Sequence, residues 1–126
     1  MELLSWIGRI LFAMIFIVAG ARHVLGKGIE YAEMKGLPAP GISVRIGGLL
    51  AVAGGLSVLL WYRVDIGAIL LLLFLFTAAF KFHDFWRLDD PMEKQNQQSH
   101  FMKNMAMAGA ALVFWVLYGG GVMAGL

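Results

Sequence analysis

The sequence predicts an all-α fold: an integral membrane four-helix bundle with a short interfacial helix in its first loop. Three observations lead there. The chain is 60% hydrophobic and 14% charged, whereas a soluble domain has about 45–50% apolar and about 25% charged residues. Its apolar residues fall into four runs, each near the roughly 20 residues that cross about 30 Å of hydrocarbon. The longest polar stretch, Lys81 to Asn104, separates the last two runs and holds two of the three histidines. Backbone groups in lipid must be hydrogen-bonded internally, so helices are the state expected for every run.

The spans are expected at about 3–24, 44–62, 64–83 and 99–118, in one domain covering residues 1–126. The first run follows Met1-Glu2 rather than a basic segment, and no small-x-small cleavage site comes after it, so it is expected to be a span and not a leader. In the first loop, Ile29 to Lys35 forms the short interfacial helix. Gly36-Leu37-Pro38-Ala39-Pro40-Gly41 ends it, because Gly and Pro break helices. Only Tyr62-Arg63-Val64-Asp65 joins spans two and three, which requires a tight antiparallel hairpin. Ser99 is the expected N-cap of span four, and the acidic run Asp89-Asp90-Pro91-Met92-Glu93 is expected to be solvated loop. A Gly-rich apolar tail runs on to Leu126.

Orientation follows from the basic residues. Arg22, Lys27, Lys35 and Arg45 flank the first loop, and Lys81, Arg87, Lys94 and Lys103 the third, against Arg9 and Arg63 on the other side. Basic residues concentrate on the cytoplasmic side, so both long loops are expected there and both termini outside.

Small residues suggest how the helices pack. Gly47, Ala51 and Gly55 share one face of span two, and Ala106 and Ala110 repeat the theme in span four. Packing inside the bundle is the first expectation for these faces and a homodimer seam the second. The bulky run Ile69 to Phe76 is expected to face lipid over much of its girth. Trp6, Trp61, Tyr62, Phe85, Trp86 and Tyr118 lie near span ends, as aromatic belts do.

Composition excludes several classes of function. The chain has no cysteine, which removes disulfide exchange and thiolate-held metal or iron–sulfur centres. Its basic residues are scattered and its net charge is +2, so no nucleic-acid partner is expected. There is no nucleotide loop or nucleophile elbow, and Gly119-Gly120-Gly121 follows a span rather than a strand. No catalytic residue and no metal ligand is assigned.

Two groups of polar residues remain. Arg9, Ala13, Phe16, Gly20 and His23 share one face of span one. An arginine inside the membrane should face the protein and seek an anion, and Asp65 lies at the same level, so Arg9 and Asp65 are expected to pair or to share a ligand, the alternative being an Arg9 that snorkels to the outer headgroups. At the other end, His23, His83 and His100 gather with Lys81, Lys103 and Asn104 at the mouth of the bundle. The three histidines come from separate helix ends with no fixed metal-binding spacing, so haem or metal is not the expected occupant. A cationic, hydrogen-bonding mouth suits a quinone head group or a small oxyanion, and histidine passes protons near neutral pH, as quinone chemistry requires.

The motifs Arg9…Phe16…Gly20-Ala-Arg-His23, Gly36-Leu37-Pro38, Gly47-Gly48-Leu49-Leu50, His83-Asp-Phe85-Trp86 and His100-Phe-Met-Lys103-Asn104-Met-Ala-Met-Ala-Gly109 resemble the DoxX family of small four-helix membrane proteins. The resemblance covers nearly the whole chain. Many relatives have an acidic residue just before the span-two glycines, where this chain has Arg45-Ile46. The resemblance implies a prokaryotic plasma-membrane protein linked to thiosulfate:quinone oxidoreduction, oxidative stress or quinone resistance, with a redox or sulfur-metabolism partner on the cytoplasmic side. A wider circle of similar proteins includes receptor-assembly chaperones. The expectation is therefore an accessory or membrane subunit of a redox system, with membrane assembly or scaffolding as the alternative.

Overall fold

The computed structural model describes residues 2–121, so the end of the Gly-rich tail lies outside the described residues. Five helices follow in order: α1 (Glu2–Val24), the short α2 (Ile29–Met34), α3 (Pro40–Leu60), α4 (Val64–Thr77) and α5 (Pro91–Gly119). A π-helical turn, Ala78–Phe82, continues α4, and a 3₁₀ turn, Phe85–Arg87, precedes α5. Four helical segments are long and apolar enough to cross a membrane. They expose an almost continuous apolar skin, including Ile10, Leu11, Met14 and Ile15 of α1, Leu49 and Leu56 of α3, and Val113 and Val116 of α5. In water such a surface would aggregate; in lipid it is the solvated face.

Each helix packs chiefly on its neighbour in the order α1–α3–α4–α5, with α1 on α3 the most extensive interface. Aromatic contacts bring the outer helices together, Phe12 of α1 meeting Phe114 of α5 edge-on at 4.8 Å between ring centres. The core consists of Phe16, Ala51, Val58, Val64, Ala68, Leu71, Leu75, Ala108 and Ala111. Four of the five residues on the expected face of α1, Arg9, Ala13, Phe16 and Gly20, are its buried residues, and the fifth, His23, is half-buried.

The glycines of α3 serve two neighbours. A Cβ at Gly20 would lie 2.7 Å from the Gly48 carbonyl oxygen, so α1 and α3 touch backbone to backbone. Gly55 packs on Ala13 and Phe16 of the same neighbour, while Gly54 faces Leu71 of α4, where a Cβ would come within 2.6 Å of its Cγ. The expected stripe of Gly47, Ala51 and Gly55 is therefore corrected at one position. Gly47 is half-buried with Phe74 nearby, and Gly48 makes the close approach. In α5, Ala108 and Ala111 are the buried residues, not Ala106 and Ala110. The bulky run of α4 is divided, with Leu71 and Leu75 in the core and Ile69, Leu73 and Phe76 exposed.

Two helix starts differ from expectation. α3 begins at Pro40, whose missing N–H costs nothing at a first-turn position. α5 begins at Pro91, eight residues before Ser99, because the Asp90 carboxylate accepts a hydrogen bond from the Glu93 N–H at 3.0 Å. The acidic run is thus a cap. Ser99 lies inside the helix and donates to the Gln95 carbonyl at 3.1 Å.

Candidate functional site

The two long connections meet at one end of the bundle, here called the loop face. The Tyr31 hydroxyl of α2 donates to the Phe82 carbonyl at 2.9 Å. Lys35 Nζ, just past α2, reaches Asp84 Oδ1 at 2.6 Å. Asp84 is 7% exposed, and Arg87 approaches its other oxygen at 3.7 Å. These contacts latch α2 over the end of α4. The Asp84 carboxylate needs this company, since an unpaired buried charge is costly.

The π turn aims the next residue. A five-residue hydrogen bond, His83 N–H to the Ala78 carbonyl at 3.2 Å, closes the turn. Such widened turns recur at functional sites because they redirect the side chains that follow. Here His83 stacks on His100 of α5, with ring centres 5.1 Å apart and planes 25° from parallel. His83 Nδ1 lies 2.7 Å from Gln97 Oε1. An amide oxygen can only accept, so Nδ1 carries the proton and Nε2 keeps a lone pair when the ring is neutral. One turn deeper, Asn104 donates to the Leu75 carbonyl at 3.4 Å, tying α5 to α4. Phe101 sits among Phe80, Phe85 and Trp86 and closes the site on one side.

The six expected ligand residues divide. His83 and His100 stack across the α4–α5 seam and Asn104 bonds to α4 one turn further on, while Lys81 is half-buried and Lys103 exposed. His23 stands apart on α1. Its Nδ1 donates to the Lys27 carbonyl at 2.9 Å, and its ring lies 6.1 Å from that of Phe74. Among the described residues no three His, Cys, Asp or Glu side chains are arranged to hold a metal ion. Gln97, Tyr31 and Lys35 were not anticipated. Gln97 was accessible from spacing, since 97, 100 and 104 fall on one helix face. Tyr31 and Lys35 carry no such signal, because their partners lie about fifty residues away.

At the opposite end, the hairpin face, the expected Arg9–Asp65 pair is replaced by two separate arrangements. Asp65 takes both its bonds from Arg63, at 3.0 and 2.8 Å. Arg63 is two residues away in the turn and reaches the carboxylate first. Arg9, 4% exposed, donates from Nη1 to the Leu59 carbonyl at 3.0 Å. Its guanidinium sits 4.0 Å from the Trp6 ring centre and 5.9 Å from that of Trp61. The partial negative charge at the C-terminus of α3 and two indole faces take the place of an acid.

The class of protein is now defined: an integral membrane bundle of four spanning helices, with a histidine pair at the face where its two long connections meet. The DoxX family model matches residues 4–84, more than half of the chain, and the chain belongs to that family. No curated protein and no solved structure matches it. The matched segment runs from α1 through His83 and Asp84, so the Gln97–His100–Asn104 side of the seam lies beyond it.

Proposed function

We propose that this protein is a membrane subunit or accessory protein of a redox system. In this reading it holds a quinone head group, or a small oxyanion, at the His83–His100 seam. The observation that carries the reading is the stacked imidazole pair, fixed by Gln97 and covered by the Lys35–Asp84 latch. The donor set fits such a head group. His83 Nε2 and His100 can exchange protons with a carbonyl or hydroxyl, and Lys81 or Lys103 can add a charge-assisted hydrogen bond. A quinone would supply the two-electron chemistry when bound, and a protein partner, of redox or sulfur metabolism, would deliver or remove the electrons. His23 joins the site only through its position on the same face. The loop face is assigned to the cytoplasm of a prokaryotic plasma membrane, with both termini outside, on the strength of its eight flanking basic residues against Arg9 and Arg63.

The test is extraction of the purified protein followed by mass and absorbance analysis. A quinone should be recovered near stoichiometry and lost in a His83→Ala/His100→Ala double variant that still folds. Retention of the quinone by that variant would end the reading.

A second reading, membrane assembly or scaffolding, draws on α5. A helix of 29 residues is about 43 Å long at 1.5 Å per residue, well beyond the hydrocarbon. Its first turns, Pro91 to Asn96, are exposed and offer a contact surface to a partner. Recovery of a stoichiometric partner chain with phospholipid alone would favour this reading, and replacing the exposed turns should then abolish partner recovery while the histidine variants keep it.

A further inference from the structure

A shallow groove of about 400 Å³ runs down the outer side of α1 at the loop face. Ile15, Val18 and Ala19 line its apolar part, and Arg22, His23 and Lys27 its polar end. These two parts follow in order along α1 and the turn after it, so the groove passes from the hydrocarbon layer to the headgroup layer within a few turns. Gly26 and Gly28 shape the polar end. Both have left-handed backbones, with φ of 97° and 93°, which brings the chain back so that the Lys27 carbonyl accepts from His23 Nδ1. Arg45 of α3 closes in from the side, its guanidinium 3.2 Å from where a Cβ on Gly26 would stand.

No acidic residue lines the groove. Among the described residues Arg22, Lys27 and Arg45 form no ion pair, since the salt bridges there join Lys35 and Arg87 to Asp84 and Arg63 to Asp65. Basic charge at headgroup height without a protein counterion, directly above an apolar channel, matches a molecule with an anionic head and a long hydrocarbon tail.

We propose that this groove is a binding site for an anionic phospholipid. One acyl chain lies along Ile15, Val18 and Ala19, and the headgroup phosphate meets Arg22 and Lys27. Arg45 extends the positive field, and the His23 ring, held by its bond to Lys27, forms the wall between head and tail. The apolar floor selects a lipid over free phosphate. This site is separate from the histidine seam, and its occupancy is independent of the redox reading.

The test uses the full chain in detergent micelles and native mass spectrometry, with phosphatidylglycerol and phosphatidylcholine of identical acyl chains as probes. Each basic residue at an anionic headgroup adds to retention, so phosphatidylglycerol should be held on the order of tenfold more strongly than phosphatidylcholine. The Arg22→Gln/Lys27→Gln variant should bring that ratio close to one, because phosphatidylglycerol, with its net negative charge, loses more retention than zwitterionic phosphatidylcholine. Arg63→Gln, on the opposite face, should keep the wild-type ratio. If the double variant does not fold, Val18→Trp, which fills the apolar floor from the lipid side, should lower retention of both lipids. Equal retention of the two lipids by the wild type would overturn the proposal. So would a persisting preference in the double variant, retention unaffected by Val18→Trp, or displacement of phosphatidylglycerol by an equal concentration of inorganic phosphate.

Discussion

The two ends of the bundle are closed by different kinds of interaction. At the hairpin face, Trp61-Tyr62-Arg63 turns α3 into α4 with no slack. Trp61 and Arg63 take left-handed backbones at φ of 55° and 48°, a conformation that costs a non-glycine residue roughly 1–3 kcal/mol. Local bonds offset it. The Ser57 hydroxyl shares its one proton between the Tyr62 and Arg63 carbonyls, at 2.7 and 3.0 Å. The Tyr118 hydroxyl accepts from the Arg63 N–H at 3.2 Å, and Trp61 packs edge-on against Phe114 and Tyr118. The loop face has instead a few side-chain latches across long connections: Lys35 to Asp84, Tyr31 to Phe82 and His83 to Gln97. A short turn laced to its own backbone has few ways to open. A latch made of single side chains can release without unfolding a helix.

Substitutions can break or sharpen this contrast. The largest effect is expected outside both ends, at the seam they share. Gly48→Leu drives a side chain into the Gly20 backbone of α1 and should cost about 3 kcal/mol or more, read as loss of monodisperse protein in detergent. At the hairpin face, Arg9→Leu leaves the Leu59 carbonyl without its donor and should cost about 2 kcal/mol, read by thermal unfolding. Arg9→Lys should recover part of that loss, because the charge at the α3 terminus returns without the planar fork.

The loop face should respond less globally. Lys35→Met strands the Asp84 carboxylate. With Lys35 partly solvated, the cost should be about 1–2 kcal/mol, less than for a fully buried pair. Hydrogen exchange should rise in α2 and in the segment around Asp84 while the α3–α4 turn stays protected. Adding Asp84→Leu should restore most of the stability, since both charges are then gone. Uniform exchange across both ends would show that the latch and the turn are one cooperative unit and would erase the contrast. Gln97→Leu should cost about 1 kcal/mol and free the His83 ring, and, on the function proposed above, weaken quinone retention. The smallest effect is expected for Asp65→Asn. Its pair with Arg63 is exposed, and exposed pairs contribute little, so no measurable change in unfolding temperature is expected.

Much of the architecture was legible because the bilayer acts on each helix separately. A run of some 20 apolar residues is a span whatever its neighbours do, so the number of helices, the short hairpin and the interfacial α2 could all be read from one dimension. The buried stripe of α1 was legible for the same reason: its spacing is a property of one helix. The small residues of α3 were only half legible. Their presence announced close packing, but α3 is flanked by α1 and α4, so its glycines divide between two faces and one stripe cannot describe them. The start of α5 is not legible from polarity alone, because Asp90 and Pro91 cap a polar stretch that is helix rather than loop.

The candidate site divides along the same line. His100 and Asn104 were readable as one face, and Gln97 shares it. The pairing of Arg9 with Asp65 was a match of charge and depth, and the structure assigns each another partner, because a helix terminus and two indoles can stand in for an acid while a turn neighbour captures the acid itself. What the sequence by itself determined is the number and order of the spanning helices and the buried face of α1, since these follow from local periodicity and from the cost of polar groups in lipid. Only the tertiary structure decided which side chains meet: the stack of His83 on His100, the latch of Lys35 to Asp84, and the isolation of His23 in its own groove. Those contacts depend on helix rotation and on the π turn after Thr77, which shift a side chain by a fraction of a turn, and that is enough to change its partner.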